Sequence, residues 1–360
     1  MTGTLLRLGR NKWVRLGAMI VSLVGVGVAL WQLPNWNGVG SSFQNVHWQW
    51  VAVAVGFNLV SIVVRSVGWK LVIDQALLPP PAPRFRHVFS GFCVGMLGNA
   101  ALPGRIGELA RVGVLTRHMP KRRGLWATLV GTVVAHRIFD LFPITLLVLY
   151  VLVTAKIPAW AYSTIVAVVS IGAALFIFAF LSARKAGRAR LDSMGTVKHV
   201  IAMGREGLAV MHRPWPAFGA VCFQTLGWVC QLFAVFTAMR AFDIHEGIPA
   251  AALVLLVMNV ATIIPLWPGN VGAVQVAIAI PLQSYGVAYA DGVAFGFGLQ
   301  AIEASVGIGL GLIFLAHEGL SFATLRGMPM ATEAQELSEA DTADAGFAPE
   351  ESRARAGVPG

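Results

Sequence analysis

The chain has 360 residues, of which 56% are apolar and only 12% charged, and its mean hydropathy is +0.70. A soluble domain carries about 25% charged residues, so the composition excludes a soluble globular protein and points to a polytopic membrane helix bundle. The net charge of +10 would raise nucleic-acid binding in a soluble chain. In a membrane chain it reports topology first, and no nucleic-acid partner is expected.

Arg7, Arg10, Lys12 and Arg15 lead into the first apolar run, 14–33. It lacks a small-residue cleavage exit and reads as a retained helix rather than a signal peptide. Further apolar segments follow near 48–69, 87–102, 125–153, 159–181, 214–240, 249–264 and 290–316. Trp13, Trp31, Trp36, Trp48, Trp50, Trp69, Trp126, Trp160 and Trp215 mark predicted ends, as an interfacial aromatic belt would. Cys93, Cys222 and Cys230 lie inside apolar runs and read as small buried hydrophobes, with no disulfide or metal framework. The 184–213 connection carries an apolar stripe beside Arg190, Lys198 and Arg205. It fits a helix lying on anionic lipid, or equally one packed on the bundle. Residues 319–360 read as an acidic, disordered cytoplasmic tail.

The third and seventh segments fall short of the roughly 20 residues a span needs. Each runs into a break: Pro103, Gly104, Arg105 and Gly107 in one case, Pro265, Pro268, Gly269, Asn270 and Gly272 in the other. Proline removes a backbone donor and clashes with the preceding turn. Backbone freed in this way is tolerated in a membrane only against protein or a watery cavity. Each break is followed by a short helix, Glu108–His118 and Ala273–Gln283, so both pairs read as re-entrant hairpins, 87–118 and 249–283. Six full spans then remain. The N-terminus and the 70–86, 117–123 and 184–213 loops fall on one side with eighteen Lys/Arg, against only Lys156 and Arg240 on the other. By the positive-inside rule the crowded side is cytoplasmic.

Pro-Gly-x-x-Gly at Pro103–Gly107 recurs at Pro268–Gly272. The chain therefore divides into a first membrane repeat, 1–153, and a second, 154–318. Each holds three spans and one hairpin, and an odd number of spans inverts the second copy. Inverted repeats with paired broken helices are a recurring plan of secondary transporters.

Buried charge is where function is expected, because an ionised side chain at the bilayer centre costs on the order of 3 kcal/mol. His136, Arg137 and Asp140 sit roughly 17–22 Å along the fourth segment and can share one helix face. They read as a functional site or as a structural ion pair docking this helix onto the first hairpin. Arg105, Glu108 and Arg111 follow the first break. With Asn99 they fit an anion site at a helix start, and the alternative is arginines snorkelling to headgroups. Arg65 reads as a snorkelling end residue. The second half is milder, with Asn259, Asn270 and Gln275 around its break and Gln300 and Glu303 in the last span. Glu303, with no basic neighbour in its own span, is expected to be protonated or paired across the bundle. Gly91/Gly95, Gly292/Gly296 and Gly307/Gly311 fit close helix packing.

The string from Asn99 through Pro103, Gly104, Arg105, Gly107, Glu108 and Arg111, then His136-Arg137-x2-Asp140, then Pro265-x2-Pro268-Gly269-x2-Gly272, resembles the lysylphosphatidylglycerol synthase/flippase transmembrane-region family. The resemblance covers roughly residues 10–320. It implies a module that moves lipids with modified headgroups between leaflets. The family's Glu before the fourth-segment Arg is His136 here. The family's Pro-Gly-Gly-x-Gly-x-x-Glu has Asn270 and Gln275 in place of its second Gly and its Glu. With two carboxylates replaced, a phosphate headgroup is better matched than a cationic aminoacylated one. The soluble aminoacyl-transferase domain of bifunctional relatives is not seen after the module, so synthase activity is not expected.

The expectation is therefore a flippase, not an enzyme, in the cytoplasmic membrane with both termini cytoplasmic. It would need no cofactor and take as partners membrane lipids, a lipid-modifying enzyme and further copies of itself. The alternative is an integral-membrane transferase, or an accessory scaffold, acting on polyprenyl-phosphate-linked sugars. A transferase would want paired carboxylates at the membrane surface, and no D-x-D pair occurs.

Overall fold

A computed structural model describes residues 27, 36–77, 82–101, 107–120, 125–157, 162, 214–262, 270–322 and 324. Every regular element among them is helical. In chain order these are α1 (Trp36–Gln44), α2 (Trp48–Ala76), α3 (Phe85–Ala101), α4 (Gly107–Thr116), α5 (Leu125–Thr154), α6 (Pro214–Ala241), α7 (Ile248–Ala261), α8 (Ala273–Leu282) with a 3-10 turn at Gln283–Tyr285, and α9 (Tyr289–His317). Among the described residues, four helices are long and apolar enough to cross a membrane: α2, α5, α6 and α9. The all-helical membrane class read from composition holds. The predicted spans 14–33 and 159–181, apart from Gly27 and Tyr162, lie outside the described residues. So do the 184–213 connection, nearly all of the tail, and Pro103, Gly104, Arg105, Pro265, Pro268 and Gly269.

The order long, short, short, long occurs twice, in α2–α5 and again in α6–α9. Helix boundaries fall within a few residues of the hydropathy reading except in α2, which continues to Ala76. There Lys70 pairs with Asp74 at 2.5 Å, so two charges one turn apart cover each other and the helix carries them. The helix α1 was not foreseen. Its Gly-Val-Gly-Ser-Ser stretch is a poor helix former. Tertiary contacts hold it: Val39 is buried against Ala279, Val293 and Ala294, and the Phe43 ring meets Phe242 edge-on.

Backbone proximity is bought with glycine. A Cβ on Gly91 would stand 2.9 Å from the Arg111 carbonyl oxygen, and one on Gly98 would stand 2.8 Å from Gly107 Cα. The α3–α4 pair therefore closes with backbones touching. The second pair leans on α9 in the same manner, where a Cβ on Gly292 would lie 2.9 Å from Ala279 Cα. Gly311 faces Leu97 and the Cys93 carbonyl, and Gly307 faces Met96. All three small-residue pairs read from the sequence lie at close packing points.

Contacts at the two ends of the bundle orient the pairs. At one end Ser90 Oγ donates to Glu318 Oε1 at 2.5 Å and His118 Nε2 lies 2.6 Å from Glu318 Oε2. That ties the start of α3 and the end of α4 to the end of α9. At the other end the Lys156 N–H donates to Tyr285 Oη and Ser284 Oγ donates to the Lys156 carbonyl, both at 2.8 Å. That ties the end of α8 to the chain just after α5.

Two expectations need correcting. Trp69 and Trp126 are buried, not interfacial. Trp69 is fully enclosed, donating its indole N–H to Thr132 Oγ1 at 3.1 Å, while Trp48 and Trp215 are exposed as an aromatic belt requires. Cys93 and Cys230 are buried, but Cys222 is exposed, because its face of α6 points away from the bundle.

Candidate functional site

A cavity of about 400 Å³ lies between α2, α5 and α6 and the inner ends of α3, α4 and α7. Its charged lining comes from three helices: Arg65 from α2, Glu108 and Arg111 from α4, and Arg137 and Asp140 from α5. The short helix α4 begins at the break, which sets Glu108 in its first turn, where a carboxylate suits the positive end of the helix dipole.

Asp140 is the hub. Its side chain is 5% exposed, and it gathers donors from three helices. Arg65 Nη2 lies at 3.3 Å, Arg137 Nη1 at 3.2 Å and Trp228 Nε1 at 2.8 Å, and Gln224 Nε2 also donates to it. A buried carboxylate is retained only when paired and hydrogen-bonded in this way. Glu108 is the second anion. It receives Arg137, and Arg111 Nη2 approaches it at 2.5 Å. Arg137 thus bridges both carboxylates, and α5 is tied to α4 by charge.

Arg111 is not at a headgroup interface. It is buried, with its guanidinium carbon 4.6 Å from the Trp69 ring centroid and 5.6 Å from that of Phe92. Aromatic faces support a cation taken out of water. Its Nε, like that of Arg65, has no hydrogen-bond acceptor. Among the described residues, three guanidinium groups against two carboxylates give the cavity a cationic excess and unsatisfied donors on its wall.

The family comparison can be set against this geometry. The sequence pattern described as the lysylphosphatidylglycerol synthase TM region matches residues 17–311. The chain belongs to that family. It is also similar to a UPF0104 membrane protein of Methanothermobacter thermautotrophicus, 23% identical over 261 residues that make up 66% of this chain and 75% of that one.

In this member of the lysylphosphatidylglycerol synthase TM-region family, the residues singled out by sequence fall into three groups. Asn99, Glu108, Arg111, His136, Arg137, Asp140 and Asn259 all line the cavity. Asn99 Nδ2 reaches Glu108 Oε1 at 3.4 Å. His136 is buried beside Phe92 and meets the Gln224 amide at 3.4 Å, so its partner is not Asp140. Asn270 and Gln275 serve backbone instead. Asn270 Nδ2 donates to the Ala261 carbonyl at 2.8 Å, and Gln275 Oε1 accepts the Gly272 N–H at 2.5 Å while its amide donates to Gln300 Oε1 at 2.6 Å. Glu303 stands behind the wall, 3.5 Å from the Nε2 of Gln231, which is itself a lining residue. Arg105 lies outside the described residues.

Sequence reasoning missed three contributors. Arg65 was assigned to an interface, yet it points inward to Asp140. Gln224 and Trp228 went unnoticed. The available signal was periodicity: Asn58, Ser61 and Arg65 on α2, and Gln224, Trp228 and Gln231 on α6, recur at three- and four-residue steps. Such spacing places each set on a single helix face.

Proposed function

We propose that this protein is a lipid flippase, moving a phospholipid or lipid-linked precursor with a phosphate-containing headgroup between bilayer leaflets. One observation carries the reading: a mid-bundle cavity with three arginines against two carboxylates and buried guanidinium donors without acceptors. Arginine is suited to phosphate because its planar fork can donate two parallel hydrogen bonds. A volume of about 400 Å³ is of the size that holds small molecules, roughly 300–1,000 Å³. It suits a headgroup while the tails stay in lipid.

The doubled helix order supports an inverted repeat, with one hairpin entering from each face and the site at their inner ends. That is the arrangement alternating access requires. The positive-charge asymmetry supports cytoplasmic termini in the cell membrane. In this reading the partners are membrane lipids, the lipid-modifying enzyme that supplies the substrate and further copies of the chain, and the protein performs no covalent chemistry.

The deciding experiment reconstitutes the full chain in vesicles with fluorescent phospholipids and polyprenyl phosphates of varied headgroup. Accelerated leaflet exchange of a phosphate lipid, lost in Arg111→Ala, is expected. No acceleration across the headgroup panel would remove the flippase reading and favour a transferase or scaffold.

A further inference from the structure

Beside the polar cavity is a second, smaller one of about 170 Å³ between α5 and α6, floored by Leu255 of α7. Its walls are apolar: Pro143, Leu146 and Leu147 from α5, and Val229 and Leu232 from α6. The hydroxyl of Thr225, also on the wall, is turned into its own helix, donating to the Val221 carbonyl at 2.8 Å. The floor is closed, since Leu255 is fully buried, while the rim is open, with Leu146 46% and Val229 41% exposed. The groove thus opens on the outer surface of two membrane-spanning helices and ends against the bundle.

Two residues, Leu147 and Trp228, line both this groove and the polar cavity. Trp228 is the boundary. Its indole N–H donates to Asp140 Oδ1 at 2.8 Å, and its side chain also walls the groove. An indole is suited to such a border, with one polar atom on an apolar body. Pro143 stands one helical turn beyond Asp140 and has no N–H to give the Phe139 carbonyl, so α5 lacks one backbone hydrogen bond where the two spaces meet.

A charged chamber sharing a wall with an apolar groove that opens toward lipid matches an amphiphile. Resting on the flippase reading, we propose that the α5–α6 groove holds the first part of the hydrocarbon chain of the lipid whose phosphate headgroup occupies the polar cavity. The chain enters past Trp228 and leaves over Leu146 and Val229. The groove is too small for a whole acyl chain. An apolar cavity of about 150 Å³ holds one benzene, so it registers only the few carbons nearest the headgroup.

The test uses the full chain in vesicles with a phosphate-headgroup lipid bearing a diazirine early in its acyl chain, and a diacylglycerol carrying the same chain. Photo-cross-links are mapped by peptide sequencing. The expected result is labelling within 143–150 and 225–232 that favours the phosphate lipid about tenfold, the equivalent of one charge-assisted contact. Val229→Trp and Leu146→Trp place bulk on an exposed rim and leave the core untouched. Either variant should bring groove labelling down to the diacylglycerol level and slow leaflet exchange, while soluble glycerol phosphate still protects a cysteine placed at Asn99.

Equal labelling by the two lipids would mean ordinary surrounding lipid and overturn the proposal. So would cross-links to a second copy of the chain, or unchanged labelling in both tryptophan variants. Headgroup-dependent labelling without leaflet exchange supports the groove and removes transport instead.

Discussion

The two broken-helix pairs solve one problem with different chemistry. At the second, α7–α8, the freed backbone is met by uncharged amides close at hand: Asn270 on the Ala261 carbonyl, and Gln275 on the Gly272 N–H. At the first, α3–α4, the polar groups are ionic and reach outward, so that Glu108 and Arg111 join Arg137 and Asp140 of α5. Amides that close on their own backbone leave little over for a ligand. Charges held across helices leave an excess of donors facing a cavity. Breaking a helix is thus a condition for a site, and the charge at the break decides whether one forms.

This contrast is open to direct tests. The largest effect is expected for Asp140→Ala, which strands Arg65 and leaves Arg137 with Glu108 as its one carboxylate. Removing one partner of a buried pair costs about 3–5 kcal/mol, readable as a lowered thermal midpoint in detergent together with lost lipid exchange. Arg137→Ala should cost less, because Arg137 is 48% exposed and Asp140 keeps Arg65, Gln224 and Trp228. A midpoint drop equal to that of Asp140→Ala would remove Asp140 as the hub.

Glycine closes α3 on α4 and α9 on α8, so Gly98→Ala and Gly292→Ala should destabilise alike, by about 1–3 kcal/mol each for overpacking. A tolerated change at either would break that symmetry.

Gln275→Ala loses a helix-start contact worth about 1 kcal/mol. Exchange per folded molecule should stay near wild type, whereas Arg111→Ala should lose exchange. Equal loss in both would collapse the contrast between the breaks.

The smallest effect lies outside the membrane. Burial alone would raise the Glu318 carboxyl, but hydrogen bonds from Ser90 and His118 outweigh it and hold the group below its ordinary value of 4.5. A depressed carboxylate stabilises the fold above its unfolded pKa and loses that contribution as pH falls through the folded one. The thermal midpoint should therefore fall as pH drops below about 4.5, and Glu318→Gln should flatten that part of the profile.

Much of this was legible without a structure. Four long helices, two short pairs and the Asn99, Glu108, Arg111, His136, Arg137 and Asp140 set were all read from the chain. Arg65 was misplaced because its distance from Lys70 suggested an interface, whereas α2 continues unbroken past that point to Ala76. Gln224 and Trp228 were missed because neither is charged, and the sequence reading looked for function chiefly among buried charges.

The sequence by itself determined where the long apolar helices lie and where two shorter ones break. Those are local matters, decided by the apolarity of some 20 successive residues and by proline's missing donor. Only the tertiary structure decided that Arg65 and Asp140, 75 positions apart, share one contact. It also decided that the amides at the second break turn onto their own backbone. Rotation about each helix axis sets which face meets which neighbour, and that rotation is chosen by packing among all the helices at once.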